Sequence, residues 1–217
     1  MTSFYPIFLD VEHKLCVIVG GGKVATRKAV SLLGANAVVR VISPQVHSDL
    51  TVLAEANKLQ IMARKYQDDD LAGAFLVIAA TDNTALNGQV AAFCQAQRIL
   101  CNVVDAPEHG NFIVPSMIVR GPLTLAISTG GMAPAATQQI RQRLQEEFDD
   151  AYGVVLATLG QVRKRIKREF DDPQQRRSIV TSMKVDDLVC LYRTGGQVAV
   201  DKKINQMLLT YKKENGI

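Results

Sequence analysis

Three consecutive glycines near the N-terminus constrain this chain more than any other feature, because of what lies on either side of them. Residues 15–19 form a short apolar run rich in β-branched side chains, and residues 24–33 repeat apolar side chains at helical spacing. Gly20, Gly22 and Ala25 occupy the fixed positions of the pattern G-x-G-x-x-G/A. A strand, a glycine turn and a helix in this order predict a dinucleotide-binding turn, with a purely structural turn as the alternative.

Each fixed position of this pattern has a physical reason. The first glycine allows the tight turn, the second lets the backbone approach a pyrophosphate, and the small third residue lets the helix pack against the strand. The N-terminus of the helix then presents free N–H groups and the positive end of its dipole to the phosphates. We therefore expect Gly20 and Gly22 to bind the cofactor.

Composition places the chain among ordinary globular proteins, with 47% apolar and 21% charged residues in a length of 217. No apolar run is long enough to span a membrane, and the N-terminus lacks the basic start and apolar stretch of a signal peptide. The four cysteines show no metal-ligand spacing, so we expect mostly buried free thiols and no metal site. These observations predict a cytoplasmic protein.

The net charge of +4 is unevenly distributed, since residues 1–140 carry equal numbers of basic and acidic side chains. The whole excess lies in residues 141–217, which include the basic run 163–168. A solvated helix face is the simplest interpretation of that run. No long basic patch interleaved with aromatic residues occurs, so we expect an acidic small molecule rather than a nucleic acid as the partner.

Strand and helix patterns alternate through the first half of the chain. Strands are predicted at 15–19, 38–43, 60–63, 75–80 and 99–104, with helices between them. This alternation predicts a Rossmann-type doubly wound parallel sheet. Two further strand segments are expected, one at 7–9 that joins the sheet edge and one at 112–115.

Polar residues at two helix starts are predicted to act as caps. Ser48 is expected to cap the helix after the second strand, and Asp82 the helix after the fourth. The aspartates at 68–70 are expected to cap a short helix and to face solvent rather than to bind a metal ion.

Other polar residues follow the strands at their carboxyl ends, where open α/β sheets bind ligands. Thr81 and Asp82 follow the fourth strand, and we expect them to contact the cofactor; Asp105 follows the fifth. Residues 43–45 follow the second strand and include no acidic residue that would bind the adenosine ribose. No arginine follows immediately to take a 2′-phosphate, so the sequence leaves NAD and NADP open, with a lean toward NAD.

The pattern changes at residue 115. Two short strands, 116–119 and 123–128, flank a Gly-Pro turn, and helical patterns follow to the end of the chain. We predict three domains, a nucleotide-binding domain over 1–114, a small α+β segment over 115–148 and a helical domain over 149–217.

A series of short motifs runs in a fixed order from residue 6 to residue 143. They are Pro6-Ile7-Phe8-Leu9, the glycine stretch from Val17 to Lys28, Ala79-Ala80-Thr81-Asp82 with Leu86-Asn87, Cys101 to Asp105, Phe112 to Ser116, Pro122-Leu123, Ala126 to Gly131 with Pro134, and Ile140-Arg141. In this order the motifs resemble the precorrin-2 dehydrogenase family, which also forms the N-terminal module of siroheme synthases. The methyltransferase portion of the fused enzymes is not expected on this chain.

The resemblance implies oxidation of precorrin-2 to sirohydrochlorin with NAD+ as hydride acceptor. It also implies a homodimer whose interface, the segment 115–148, follows the nucleotide-binding domain. It places the NAD site at Gly22, Lys23, Val24, Ser43, Pro44 and Gln45.

The resemblance also implies a catalytic site. It makes Asp105 the main catalytic residue and puts the turn Ser128-Thr129-Gly130 at the active-site cleft. Thr129 stands where some relatives have a serine, so the role of that serine is not carried over.

The chemistry of that reaction suits these residues. The substrate must lose a hydride and a proton, and a carboxylate at Asp105 can take the proton as general base. His109 is a second candidate base or transient metal ligand. Arg120 and Arg141 are candidate clamps for the carboxylates of the substrate.

Two alternatives remain open from the sequence. Some family members also insert Fe2+ or Co2+ into the product, which would make the protein a combined dehydrogenase and ferrochelatase. A nucleotide-sensing module that binds NAD without chemistry is the other alternative, and the motifs around Asp105 and Ser128 argue against it.

Overall fold

The computed structural model describes residues 4–215, and the chain divides into two compact units, residues 1–114 and 115–217. Two hydrophobic core clusters lie in the first unit and one lies in the second. The further division of the second unit at residue 148 stays a prediction.

The first unit is built on a five-stranded parallel sheet with the strand order β3-β2-β1-β4-β5. Its elements are β1 (Leu15–Val19), α1 (Lys23–Leu33), β2 (Val38–Ile42), α2 (Ser48–Glu55), β3 (Gln60–Met62), β4 (Leu76–Ala79), α3 (Thr84–Gln97) and β5 (Leu100–Val103). Val19 pairs with Ala79 at the carboxyl ends of β1 and β4, which is the point where the strand order reverses. In sheets of this kind that point is the usual ligand site.

Both faces of this sheet are covered, as a doubly wound sheet requires. Ile18 of β1 belongs to the core that contains Ala29 of α1 and Leu50 of α2. Its neighbour Val17 points to the opposite face and belongs to the core that contains Val90 of α3. Burial on both faces explains why the central strands are unbroken apolar runs. The predicted fold class is confirmed.

Two predicted strand segments are wrong. Residues 7–9 form no strand, and Ile7 and Phe8 are 66% and 75% exposed. Residues 112–115 form no strand either, because Asn111 occupies the edge of β5 just before them. Its backbone N–H donates to the Cys101 carbonyl oxygen at 2.9 Å, and its Oδ1 accepts from the Cys101 N–H at 2.8 Å.

Two predicted helix caps are displaced by one residue. His47 rather than Ser48 caps α2, and its Nδ1 accepts a hydrogen bond from the Asp49 N–H at 3.4 Å. Asn83 rather than Asp82 caps α3, and its Oδ1 accepts from the Leu86 N–H at 3.0 Å. Asp82 is exposed and does not cap α3. Its contact with the cofactor stays a prediction.

Asp70 contradicts the expectation that residues 68–70 all face solvent, because it is buried. Arg64 forms a bidentate ion pair with the Asp70 carboxylate, and the Gln67 N–H donates to Asp70 Oδ2 at 2.8 Å. The hydrogen-bonded Arg64 guanidinium holds the pKa of Asp70 below its usual value. The cluster ties the segment after β3 to the short 3-10 helix Asp68–Leu71.

Replacing Asp70 by asparagine is expected to lower the free energy of unfolding by about 2 kcal/mol at neutral pH. Arg64 then loses its counter-charge, while its partial exposure limits the loss. Because the folded-state pKa of Asp70 is lowered, the stabilisation is present above the unfolded-state pKa and is lost as the pH falls through the folded-state value. Urea unfolding at neutral and acid pH measures the difference between Asp70→Asn and the unchanged protein, which shrinks in acid.

The exposed neighbour Asp69 provides the control for this measurement, since Asp69→Asn removes the same charge outside the ion pair. Equal losses of unfolding free energy in Asp70→Asn and Asp69→Asn would contradict the stabilising role of the Arg64–Asp70 pair.

The second unit combines a hairpin with helices. The strands β6 (Ser116–Arg120) and β7 (Leu123–Ile127) are antiparallel, and they are followed by α4 (Pro134–Glu147), α5 (Asp150–Glu169), α6 (Pro173–Ser182) and α7 (Val185–Glu214). Gly196 interrupts the helical backbone of α7 with a φ of 66°. Within residues 4–215, no helix is both long enough and apolar enough to cross a membrane.

Candidate functional site

The glycine turn lies directly against the end of β4. Gly20 has a φ of 124°, and a Cβ atom on it would overlap the Ala80 carbonyl oxygen and lie 3.1 Å from the Thr81 nitrogen. The Gly20 N–H donates to the Ile42 carbonyl oxygen at the end of β2, at 2.9 Å. Glycine is required here both by the backbone conformation and by the close approach. The carboxyl ends of β1, β2 and β4 therefore meet at this residue.

Gly21 fixes the loop that follows β2. A Cβ atom on it would overlap the Gln45 carbonyl oxygen and lie 2.8 Å from the Ser43 Oγ. The Ser43 hydroxyl donates to the Gln45 carbonyl oxygen at 2.6 Å, and the His47 N–H donates to the Gly21 carbonyl oxygen at 2.8 Å. The loop Ser43-Pro44-Gln45, predicted to bind the nucleotide, is thus held on the glycine turn.

Gly22 is the open member of the three glycines. Its φ is −81°, and a Cβ atom on it would have nothing within 4 Å. It precedes α1, whose N-terminus has no side-chain cap and no acidic residue in its first turn. The first backbone hydrogen bond there runs from the Thr26 N–H to the Gly22 carbonyl oxygen, at 3.0 Å. The backbone N–H groups of Lys23 and Val24 precede that bond, which is the arrangement that receives a pyrophosphate.

Gly22→Ala is expected to weaken NAD+ binding by at least tenfold, because its methyl group would occupy the open space that a pyrophosphate needs. The variant should fold normally, since its backbone conformation suits any residue. Isothermal titration calorimetry with NAD+ measures the affinity, and thermal unfolding measures the fold.

Gly88→Ala is the matched control, because Gly88 lies within α3 and a Cβ atom there also has nothing within 4 Å. It should leave NAD+ affinity unchanged. Equal NAD+ affinities of Gly22→Ala and the unchanged protein would remove the glycine turn from the binding site.

Asn87 of α3 joins the segments that follow β4 and β5. Its Oδ1 accepts from the Thr81 N–H at 3.2 Å and from the Thr81 hydroxyl at 2.7 Å. Its Nδ2 donates to the Thr81 carbonyl oxygen at 2.9 Å and to Asp105 Oδ1 at 3.1 Å. Asn87 is 1% exposed, whereas Asp105 is exposed. The predicted general base therefore lies at the carboxyl edge of the sheet, linked through Asn87 to Thr81.

His109 lies beside another part of β5. The loop after Asp105 turns back along the strand, and His109 lines a cavity of about 400 Å³ together with Gln95 and Cys101. Among the described residues that line this cavity, neither Thr81 nor Asp105 is found. His109 is exposed, and its backbone N–H donates to the carbonyl oxygen of Ala106, the residue after Asp105, at 3.0 Å. Its role as a second base stays a prediction.

Ser128, Thr129 and Gly130 form a turn at the start of α4 in the second unit. The Ser128 Oγ accepts from the Gly130 N–H at 3.0 Å. The Thr129 Oγ1 accepts from the Ala133 N–H at 3.2 Å and shares a hydrogen bond with the Thr137 hydroxyl at 3.0 Å. The Thr129 hydroxyl thus stabilises the start of α4, and contact of this turn with substrate stays a prediction.

The two candidate arginine clamps differ in their surroundings. Arg120 has its Nε 3.2 Å from Asp150 Oδ1, and its Nη1 donates to the Val119 carbonyl oxygen at 3.1 Å. The Asp150 contact is an ion pair without a hydrogen bond, because the buried Arg120 Nε has no hydrogen-bond partner among the described residues. Arg141 lies half-buried on α4. Binding of substrate carboxylates by either residue stays a prediction.

Sequence reasoning missed two residues that build the site. Gly21 was the variable position of the pattern, yet the loop after β2 approaches it as closely as the end of β4 approaches Gly20. The third glycine in a row was the available signal. Asn87 belonged to a matched motif without an assigned role, and its contacts depend on how α3 packs beside β4 and β5.

Fold and turn together define an NAD(P)-binding Rossmann protein. A family model described as NAD(P)-binding matches residues 7–116, and one described as sirohaem biosynthesis protein central matches residues 120–147. The chain belongs to the family that comprises precorrin-2 dehydrogenases and the N-terminal modules of siroheme synthases, so the resemblance seen in the sequence is confirmed.

Individual relatives agree with this assignment. A siroheme synthase of Nitrosospira multiformis is 42% identical over 179 residues, which cover 81% of this chain and 38% of that protein. One of Photorhabdus laumondii is 37% identical over 206 residues, covering 95% of this chain and 44% of that protein. The chain thus spans less than half the length of these relatives. The solved structure of SirC, a precorrin-2 dehydrogenase, matches with a TM-score of 0.78 at 26% identity, covering 97% of this chain and 100% of that one.

Proposed function

We propose that this protein oxidises precorrin-2 to sirohydrochlorin with NAD+. The observation that carries the proposal is the position of Asp105, whose exposed carboxylate is linked through Asn87 to Thr81, next to the glycine turn. A dinucleotide site and a candidate base thus share the carboxyl edge of one sheet. The name of the structurally similar precorrin-2 dehydrogenase supports the choice of substrate.

The proposed reaction balances with the groups at hand. Precorrin-2 loses two electrons and two protons in all, as one hydride and one proton, and yields sirohydrochlorin. Bound NAD+ supplies the hydride acceptor. The backbone N–H groups after Gly22 would bind the pyrophosphate, and the loop at 43–45 would border the adenosine. Asp105 takes the proton and releases it to solvent, where its exposure gives it access.

A substitution at Asp105 can test the proton-transfer step separately from nucleotide binding. Asp105→Asn keeps the size of the side chain and removes the base, so precorrin-2 oxidation is expected to fall by at least a hundredfold while NAD+ affinity stays within twofold. Anaerobic assays that follow NADH absorbance, together with NAD+ titration, measure both quantities.

Asp69→Asn serves as the control, because Asp69 is an exposed aspartate of the same unit at the short helix after β3. Full activity in Asp105→Asn would exclude Asp105 as the base. Loss of NAD+ binding in that variant would instead make Asp105 part of the nucleotide site.

Metal insertion is a second reaction that the same base would serve. Inserting Fe2+ or Co2+ into sirohydrochlorin requires removal of protons from ring nitrogens, which a carboxylate accepts. Supplying purified sirohydrochlorin and Fe2+ without NAD+, and following siroheme absorbance, separates this reaction from the dehydrogenation. A rate equal to the spontaneous one rejects it.

A second copy of this chain is the proposed macromolecular partner. In β6, Ile118 is buried, whereas Met117 and Val119 are 39% and 55% exposed. The exposed face of this two-stranded sheet therefore presents apolar side chains, and such a face is typical of an interface between subunits.

Val119→Glu is expected to shift the protein from dimer toward monomer, raising the dissociation constant at least tenfold because a charge would enter the interface. Size-exclusion chromatography with light scattering over a dilution series measures the effect. Val52→Glu is the control, since Val52 is 62% exposed on α2 of the first unit. An unchanged dimer in Val119→Glu would place the interface elsewhere.

A further inference from the structure

The side chain of Asn87 has its full hydrogen-bonding capacity satisfied inside the first unit. Its oxygen accepts two hydrogen bonds, and its two N–H groups have one acceptor each. Asn87 is 1% exposed, so these bonds are shielded from competing water. Three of the four partners belong to Thr81, and the fourth is Asp105.

The orientation of this amide is fixed by the backbone of Thr81. The Thr81 N–H can only donate, so the atom that faces it must be the amide oxygen. The Thr81 carbonyl oxygen can only accept, so the atom that faces it must be the amide nitrogen. The second N–H of that nitrogen then points to Asp105 Oδ1, at 3.1 Å. The direction of the hydrogen bond that Asp105 accepts is therefore set by the backbone of Thr81.

We propose that Asn87 is a positioning residue for Asp105, an inference that rests on the proposed dehydrogenase function. The hydrogen bond occupies Oδ1 of the carboxylate and limits its rotation, which leaves Oδ2 as the oxygen that takes the proton. Because Thr81 directly follows Ala80, against which Gly20 packs, the same amide sets Asp105 relative to the glycine turn. Asn87 thereby fixes the position of the base relative to the nucleotide site.

A purely structural role for Asn87 makes a different prediction. If Asn87 only satisfied the backbone of Thr81, its loss would lower stability and activity independently of Asp105. If it acts through Asp105, its loss should have no further effect on turnover once the carboxylate has been removed. A double-mutant cycle therefore distinguishes the two roles.

The cycle uses Asn87→Asp, Asp105→Asn and the variant that carries both substitutions. Asn87→Asp keeps the acceptor for the Thr81 N–H and hydroxyl, but it turns a carboxylate oxygen toward both Asp105 Oδ1 and the Thr81 carbonyl oxygen. We expect kcat for precorrin-2 to fall at least tenfold in Asn87→Asp, with KM for NAD+ within twofold. In the Asp105→Asn background, single-turnover assays should show less than a twofold effect of the same substitution.

Asn83→Asp is the matched control, because it adds the same charge at the N-cap of α3, where aspartate and asparagine are equally good caps. It should leave kcat within twofold. Asn87→Ser is the second variant, since its short neutral side chain cannot reach Asp105; it repeats the cycle if Asn87→Asp does not fold.

The proposal is overturned if folded Asn87 variants keep full kcat, or if their loss of rate is equally large in the Asp105→Asn background. Thermal unfolding of the ligand-free proteins gives a readout that does not depend on the reaction. The double variant exchanges the two side chains and restores a donor facing a carboxylate, while the Thr81 carbonyl oxygen stays without its donor. Its loss of Tm should therefore be clearly smaller than the sum of the two single losses. Additive losses of Tm would show that the contact does not form and would overturn the proposal.

If the unchanged protein binds NAD+ but leaves precorrin-2 unaltered, the proposed function fails while the unfolding cycle still decides the contact. A loss of Tm in the double variant that is smaller than the sum of the single losses then shows that the Asn87–Asp105 contact forms, while an additive loss overturns it.

Discussion

The structure of the site depends on the contact between Gly20 and the end of β4. The absence of a side chain lets the turn after β1 lie against the Ala80 carbonyl oxygen, next to Thr81. Any larger residue would separate the two central strands at their carboxyl ends, where the strand order reverses. The predicted nucleotide site and the placement of Asp105 both depend on this contact, because the turn leads into α1 on one side and Thr81 leads to Asn87 on the other.

The three glycines have three different physical roles. Gly20 permits the approach of β4, and Gly21 permits the approach of the loop after β2. Gly22 leaves space beside the N-terminus of α1, where the backbone N–H groups of the first turn precede the first helical hydrogen bond. Two glycines therefore assemble the site, and the third keeps it open for a ligand.

Much of the fold could be predicted from the sequence, since alternating apolar runs and helical patterns located the five parallel strands and the hairpin. The apolar run at 7–9 shows the limit of this reasoning, because an apolar run becomes a strand only when it pairs with a sheet, and these exposed residues do not. The burial of Asp70 could not be predicted from the sequence either, because its ion pair with Arg64 depends on how the chain turns after β3.

The candidate site was predictable to the same extent. The glycine turn and the residues at the strand ends follow from local patterns. The hydrogen bonds of Asn87 do not, because they join residues from three separate parts of the chain. Residues of the second unit, such as Ser128, were assigned by resemblance, and their local contacts show only how the start of α4 is stabilised.

The most direct test of the account is anaerobic turnover of precorrin-2 by the unchanged protein with NAD+. If the protein is this dehydrogenase, NADH and sirohydrochlorin form in equal amounts, and neither forms when NAD+ is left out. Unaltered precorrin-2 after prolonged incubation with the NAD+-bound protein would contradict it, and would make the carboxyl edge a nucleotide-binding site without this chemistry.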